Sequence, residues 1–174
     1  MDNILHFSDK ELCVVEKAID LAEDMVTDYF NMSSDEWMGY RYEVRTLAEL
    51  SHKEKTDKAF AQICKYECVK EKDLIYPEAF DLYRICLQDN WILHAVNVSL
   101  SKISLRPLIL YIAVHELSHV VRFSKYYKDF FASPAEKELE EAKVHSITCE
   151  MLKSLKDNTL NRILGHYRTY CSES

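Results

Sequence analysis

The amino-acid sequence predicts an α+β domain, rich in helix and built around a small sheet that contains an antiparallel pair. Long stretches near both ends place apolar residues three and four apart, the spacing of a helix with one buried face. Between about 41 and 98, shorter runs rich in Tyr, Val, Ile and Cys are bounded by polar residues, as strands are. Only two glycines and three prolines occur in 174 residues, so tight glycine turns are few. No linker, repeat or low-complexity tract divides the chain, and a single domain over 1–174 is expected.

Ser8 is placed to cap a helix reaching about Phe30, whose apolar face carries Leu12, Val15, Ala18, Ile19, Ala22 and Val26. A polar connection containing Gly39 follows. In 41–50, Tyr42, Val44 and Thr46 alternate with charged residues and suggest a strand. The segment 51–57 (SHKEKTD) reads as a charged turn in which His52 is a solvated surface histidine. The pattern over 59–69 fits either a strand or a helix, and 70–79 reads as an exposed connection. The runs 82–87 (LYRICL) and 91–98 (WILHAVNV), separated by Gln88-Asp89-Asn90, predict a β-hairpin with His94 on its second strand.

The next segment, 107–123, reads PLILYIAVHELSHVVRF and is apolar on almost every side. As a helix it is expected to be buried nearly all round, with Pro107 in its first turn. His115, Glu116 and His119 interrupt it in the pattern H-E-x-x-H. Four residues apart on a helix, the two imidazoles share a face and can reach one metal ion, with Glu116 beside it. Burying an unpaired polar group costs about 1–3 kcal/mol, so these side chains need partners, either a metal or a satisfied polar cluster in the core.

After an aromatic, irregular segment (SKYYKDFFA), Ser133-Pro134-Ala135-Glu136 is a capping box with proline just inside the helix start. That helix should run to about Leu155, with Val144, Ile147, Met151 and Leu152 on its apolar face. At 100° per residue, Glu140 and Glu141 fall at the two margins of this face, and His145 lies one turn beyond Glu141. A last amphipathic helix over about 159–170 completes the chain.

A catalytic zinc site takes three protein ligands and keeps one position open, and His115 with His119 supplies two. The chain after His119 reads VVRFSK, without the glycine and third histidine that extend the motif in one large group of zinc enzymes. The helix beginning at Pro134 is therefore the natural donor. Glu141 lies there with His145 four residues later, so one can coordinate the ion and the other can hydrogen-bond a ligand.

Charge and composition narrow the partners. The net charge of −7 comes with no basic stripe, which speaks against nucleic acid and anionic membrane surfaces. The N-terminus, MDNILHFSDKELC, has neither signal-peptide nor transit-peptide character, and the seven apolar residues before His115 are too few to span a bilayer. A cytoplasmic protein is expected. The six cysteines are scattered and read as mostly free thiols, with Cys64 and Cys68 a lone C-x-x-x-C lacking a second pair.

The H-E-x-x-H motif, with 21 residues between His119 and Glu141 and with His145 four beyond Glu141, resembles the zincin metallopeptidases of the glutamate-ligand group typified by thermolysin. The resemblance covers about 91–155. It departs from the group in having His145 where an aspartate is usual and no asparagine before the glutamate, which ranks the candidate third ligands as Glu141 first, His145 second and Glu140 third. What it implies is a zincin-like fold and zinc-dependent hydrolysis of a peptide or protein substrate, with Glu116 as general base and His115, His119 and Glu141 as ligands. It also implies an extended substrate along the strand before the active helix, here 91–98, and a Tyr or His to hold the oxyanion, from Tyr126, Tyr127, His166 or Tyr167. Two other classes compete with a peptidase: a catalytically silent zincin-fold module that binds metal and acts in regulation or interaction, and a helical protein with a coincidental motif.

Overall fold

The computed structural model describes residues 5–70, 78–98 and 103–170, and for 70, 78 and 166–170 the backbone alone. Among the described residues the chain is mixed α and β, with six α-helices and a three-stranded sheet. The helices are α1 (Asp9–Tyr29), α2 (Ser34–Gly39), α3 (Asp89–Val98), α4 (Leu105–Lys125), α5 (Pro134–Lys153) and α6 (Asn158–Tyr170). The strands are β1 (Tyr42–Arg45), β2 (Ala61–Lys70) and β3 (Glu78–Leu87), with short 3-10 turns at Leu47–Glu49 and His52–Glu54 between β1 and β2.

The central element is α4, the helix predicted from 107–123. Its residues Leu108 to Val114, Leu117, Val120 and Val121 are all buried, because α1, α3, α5, α6 and β2 each pack against it. α1 approaches it through Val15, Ala18, Ala22 and Val26; the alanines are fully buried and their small side chains let the two backbones lie close. Both long outer helices begin as their sequences predict. Ser8 and Glu11 form a capping box at α1, with the Ser8 amide donating to Glu11 Oε2 at 2.7 Å. Ser133 and Glu136 form another at α5, with Pro134 as its first residue.

The sheet has the order β1-β3-β2, with β1 parallel and β2 antiparallel to the central β3. One face, through Tyr83, Ile85 and Leu87, joins the main core. The other carries Cys86 and Arg84 under the 3-10 turns. There Glu54 is almost wholly buried and takes hydrogen bonds from Tyr66 (2.5 Å), Arg84 (2.6 Å) and both the amide and hydroxyl of Ser51 (2.8 and 2.7 Å).

The predicted hairpin of 82–87 with 91–98 does not form. Residues 82–87 lie in β3, whose antiparallel partner is β2, registered from Ala61↔Leu87 to Lys70↔Glu78, and 91–98 lies in α3. Asp89 turns the chain. Its carboxylate is buried and accepts the amides of Leu47 (2.9 Å) and Phe7 (3.2 Å), tying three distant segments together. The Gln88 carbonyl meanwhile accepts the amides of Trp91 and Ile92, starting the helix, and Ile92 and Leu93 become core. An eight-residue, largely apolar run cannot by itself distinguish a strand from a buried helix; these tertiary bonds decide it. The same pairing resolves 59–69 as strand. Of the connection expected over 70–79, 71–77 lie outside the described residues.

Candidate metal centre

Along one face of α4, residues four apart place Tyr111, His115, His119 and Phe123 in a ladder of rings. Tyr111 stacks on His115 (centroids 6.1 Å, 28°), His115 meets His119 edge-on (4.9 Å, 74°), and His119 stacks on Phe123 (5.6 Å, 19°). The flanking aromatic rings limit how far either imidazole can turn, so α4 presents both in fixed orientation. The sequence held this stripe at its four-residue spacing, but hydrophobicity alone had absorbed Tyr111 and Phe123 into the core.

Glu141 reaches these imidazoles from α5. Its Oε1 lies 2.9 Å from His119 Nε2 and its Oε2 3.3 Å from His115 Nε2. Of the charged and nucleophilic groups described, His115, His119 and Glu141 are the three whose ligand atoms converge, all within 4.8 Å of one another. Despite its short distance, His119 Nε2 makes no aligned hydrogen bond, and the Nδ1 atoms of both histidines are buried without a partner among the described residues. A carboxylate set against two imidazole nitrogens in this way could hold a cation between them. Desolvation raises the Glu141 pKa, but the facing imidazoles of His115 and His119 outweigh it and hold the carboxylate below its ordinary range. Two nitrogens and one carboxylate, with the remaining side open to a cavity, fit the donor set and open position of a catalytic zinc site.

The other two candidate third ligands are otherwise engaged. Glu140 is paired with Arg122 of α4, with Nη2 2.9 Å from Oε2 and a second contact from Nε to Oε1. His145 is buried, with Nδ1 3.2 Å from the Tyr111 hydroxyl and Nε2 3.4 Å from Cys149 Sγ. It therefore neither joins the cluster nor bonds Glu141; it braces Tyr111, and through that ring His115. Nothing in the sequence pointed to the Tyr111–His145–Cys149 chain, because its members are 34 and 4 residues apart and meet only when α5 docks.

Glu116 is partly buried and faces the space beside the cluster. Burial pushes its carboxyl up to about 7; His115 opposes the rise and the charge of Glu141 adds to it. Two cavities meet here and share Ala59, Ala61, His115 and Glu116. The larger, about 760 Å³, extends over α5 and the 128–132 segment. The smaller, about 640 Å³, runs between α3 and α4.

The other residues singled out in the sequence stand apart from the ligand cluster. His94 stands in the wall of the smaller cavity, edge-on to Trp91, and is not part of the ligand cluster. Tyr126 packs toward Phe30, Tyr127 is 88 % exposed, and neither lines the cavities, so they cannot reach an oxyanion beside Glu116. The side chains of His166 and Tyr167 lie outside the described residues. Cys13, Cys64, Cys68 and Cys86 are free thiols, and Cys64 approaches Cys86 (4.0 Å between sulfurs) across the sheet.

No protein-family model, curated protein or solved structure matches the chain. No helix among the described residues is long and apolar enough to cross a membrane.

Proposed function

We propose that the chain is a zinc-dependent peptidase with a zincin-like arrangement, His115, His119 and Glu141 holding the metal and Glu116 acting as general base. The observation that carries this reading is the convergence of those three donors, beside a second carboxylate, Glu116, facing the same cavity. Zinc bound there would act as a Lewis acid, polarising a carbonyl and lowering the pKa of water toward neutrality. Glu116 takes the proton from that water as its oxygen bonds the carbonyl carbon, and returns it to the nitrogen as the C–N bond breaks. The result is one carboxyl and one amine.

The edge for an extended substrate is β2, in place of 91–98. The Gln88 amide donates to the Phe60 carbonyl at 2.8 Å. In an antiparallel ladder this makes Phe60, Gln62 and Cys64 the residues bonded inward, and turns the backbone N–H and C=O of Ala61, Ile63 and Lys65 outward. Among the described residues no strand pairs with that side. Ala61 and Ile63 line the cavity next to Glu116, so a peptide added to this edge crosses the site. Two cavities flanking Glu116 are room that a silent metal-binding module does not need. Free thiols fit a reducing, cytoplasmic setting.

The test is Glu116→Gln in protein loaded with one equivalent of zinc. Metal content should stay at one equivalent while cleavage of a peptide library falls at least about a hundredfold, the scale of a lost general base. Turnover equal to the wild type would reject the peptidase reading, and a zinc stoichiometry near zero in the wild type would reject the metal centre.

A further inference from the structure

The two cavities differ in chemistry, and β2 runs from one to the other. The smaller one lies beside 57–61, at the start of β2, and is walled by Trp91, Ala95, Val98, Ile103, Tyr111 and Ile112. The larger continues along Gln62 and Ile63, and its wall carries four cations, Arg122, Lys128, Lys137 and Lys143, among five carboxylates. Glu116 stands beside the histidines as the proposed base, and the other four are engaged. Glu140 holds Arg122, Glu136 caps α5 through Ser133, Asp129 accepts the Phe131 amide at 2.8 Å, and Glu141 faces the histidines. Lys128, Lys137 and Lys143 form no ion pair among the described residues. In a chain of net charge −7, three unpaired ammonium groups gathered in one cavity leave it suited to an anion, the more so with a dication at its base.

Direction follows from the strand. Antiparallel pairing is the more stable mode per residue, so a peptide on the β2 edge runs against it. Its N-terminal half then lies beside Gln62 and Ile63, among the lysines, and its C-terminal half enters the space between α3 and α4.

We infer that the preferred substrate is an extended peptide with acidic residues immediately before the cleaved bond and a large apolar residue immediately after it. Lys128, Lys137 and Lys143 select the acidic side; the walls from α3 and α4 select the apolar side. This inference rests on the peptidase reading above and adds to it the class of peptide and its orientation.

Fluorescein-labelled octapeptides test it, carrying Glu-Glu or Lys-Lys before the central bond and Leu or Ser after it. Binding is read by anisotropy on zinc-loaded Glu116→Gln, and the cleaved bond by mass spectrometry on the zinc-loaded wild type. The Glu-Glu/Leu peptide should bind about tenfold more tightly than the Lys-Lys/Leu peptide, a gap that shrinks with added salt. The triple variant Lys128→Gln, Lys137→Gln, Lys143→Gln should bring that gap within about threefold while keeping the preference for Leu over Ser. Ala95→Phe, which fills the smaller cavity, should do the reverse. Equal binding of the Glu-Glu and Lys-Lys peptides, or an acid preference that survives the triple variant, would overturn the lysine assignment. Cleavage with the acidic pair after the broken bond would overturn the orientation. If no peptide is bound or cut although zinc is retained, the peptidase reading falls and this inference with it; binding and cutting without preference sink this inference alone.

Discussion

Arg122 and Glu140 join α4 to α5 by a two-point ion pair one turn beyond His119, and this pair sets which carboxylate of α5 meets the histidines. Glu140 and Glu141 point about 100° apart on their helix, so fixing one on Arg122 aims the other at His115 and His119. Arg122→Ala should therefore lower zinc affinity about tenfold although Arg122 touches no ligand, in the range for a residue that orients a ligand. Glu141→Ala should cost considerably more, and His145→Ala no more than Arg122→Ala. Competition with a chromophoric chelator gives all three. Losses from Arg122→Ala equal to those from Glu141→Ala would mean that Glu140 also coordinates.

Zinc should also stabilise the fold. A ligand present at a hundred times its Kd adds about 2.7 kcal/mol, which in a chain of this length raises Tm by about 5–10 °C. The rise should appear in the wild type and in Glu116→Gln and vanish in Glu141→Ala. Scanning calorimetry with and without chelator measures it, and an equal rise in Glu141→Ala would place the binding elsewhere.

On the far face of the sheet, Glu54 gives acid stability a definite cause. The Tyr66 hydroxyl acts most strongly, against desolvation, and with Ser51 and Arg84 brings its pKa down to about 2. The folded value lies below the unfolded one of about 4.3. The stabilisation is thus complete above the unfolded pKa and disappears as pH falls toward about 2. Glu54→Gln should cost about 2–3 kcal/mol at neutral pH, from weakened charged hydrogen bonds. It should also flatten the acid side of the stability curve. Urea melts at several pH values report both, and an unchanged acid limb would show that Glu54 is not the group responsible.

The contact of α1 with α4 offers a packing test away from the site. Ala22 is fully buried on the face of α1 that meets α4, so Ala22→Leu must push the helices apart and should cost about 1–3 kcal/mol. A denaturant midpoint equal to the wild type would show that the interface has slack.

Much of this fold was legible wherever local chemistry and tertiary packing agree. Ser8 with Glu11 and Ser133 with Glu136 mark helix starts by bonds the segment makes with itself, and α4 is announced by its apolar run. The reading failed where tertiary partners decide. Trp91 to Val98 has the composition of a strand, yet becomes helix because Asp89, buried at its start, binds amides from Phe7 and Leu47. At the site, His115, Glu116 and His119 are fixed relative to one another by a single helix and so can be read from spacing. Glu141 cannot be chosen over Glu140 that way, because the choice depends on the rotation of α5, which Arg122 sets from another helix. The lysines of the larger cavity were invisible for the same reason: Lys128, Lys137 and Lys143 become one group only when the 128–132 segment and α5 fold over the ligand cluster.

Since α4 is walled in on nearly every side, it leaves little freedom for change. A substitution at Leu117 or Val120 that adjusted the histidines would also disturb the core, so the chemistry and the stability of this protein are not separately adjustable there. The cavity walls contributed by α3, by the start of β2 and by 128–132 hold far fewer fully buried side chains. Under the proposed peptidase function, a change in what is cut would fall in those three segments, while the helix between them stayed nearly constant.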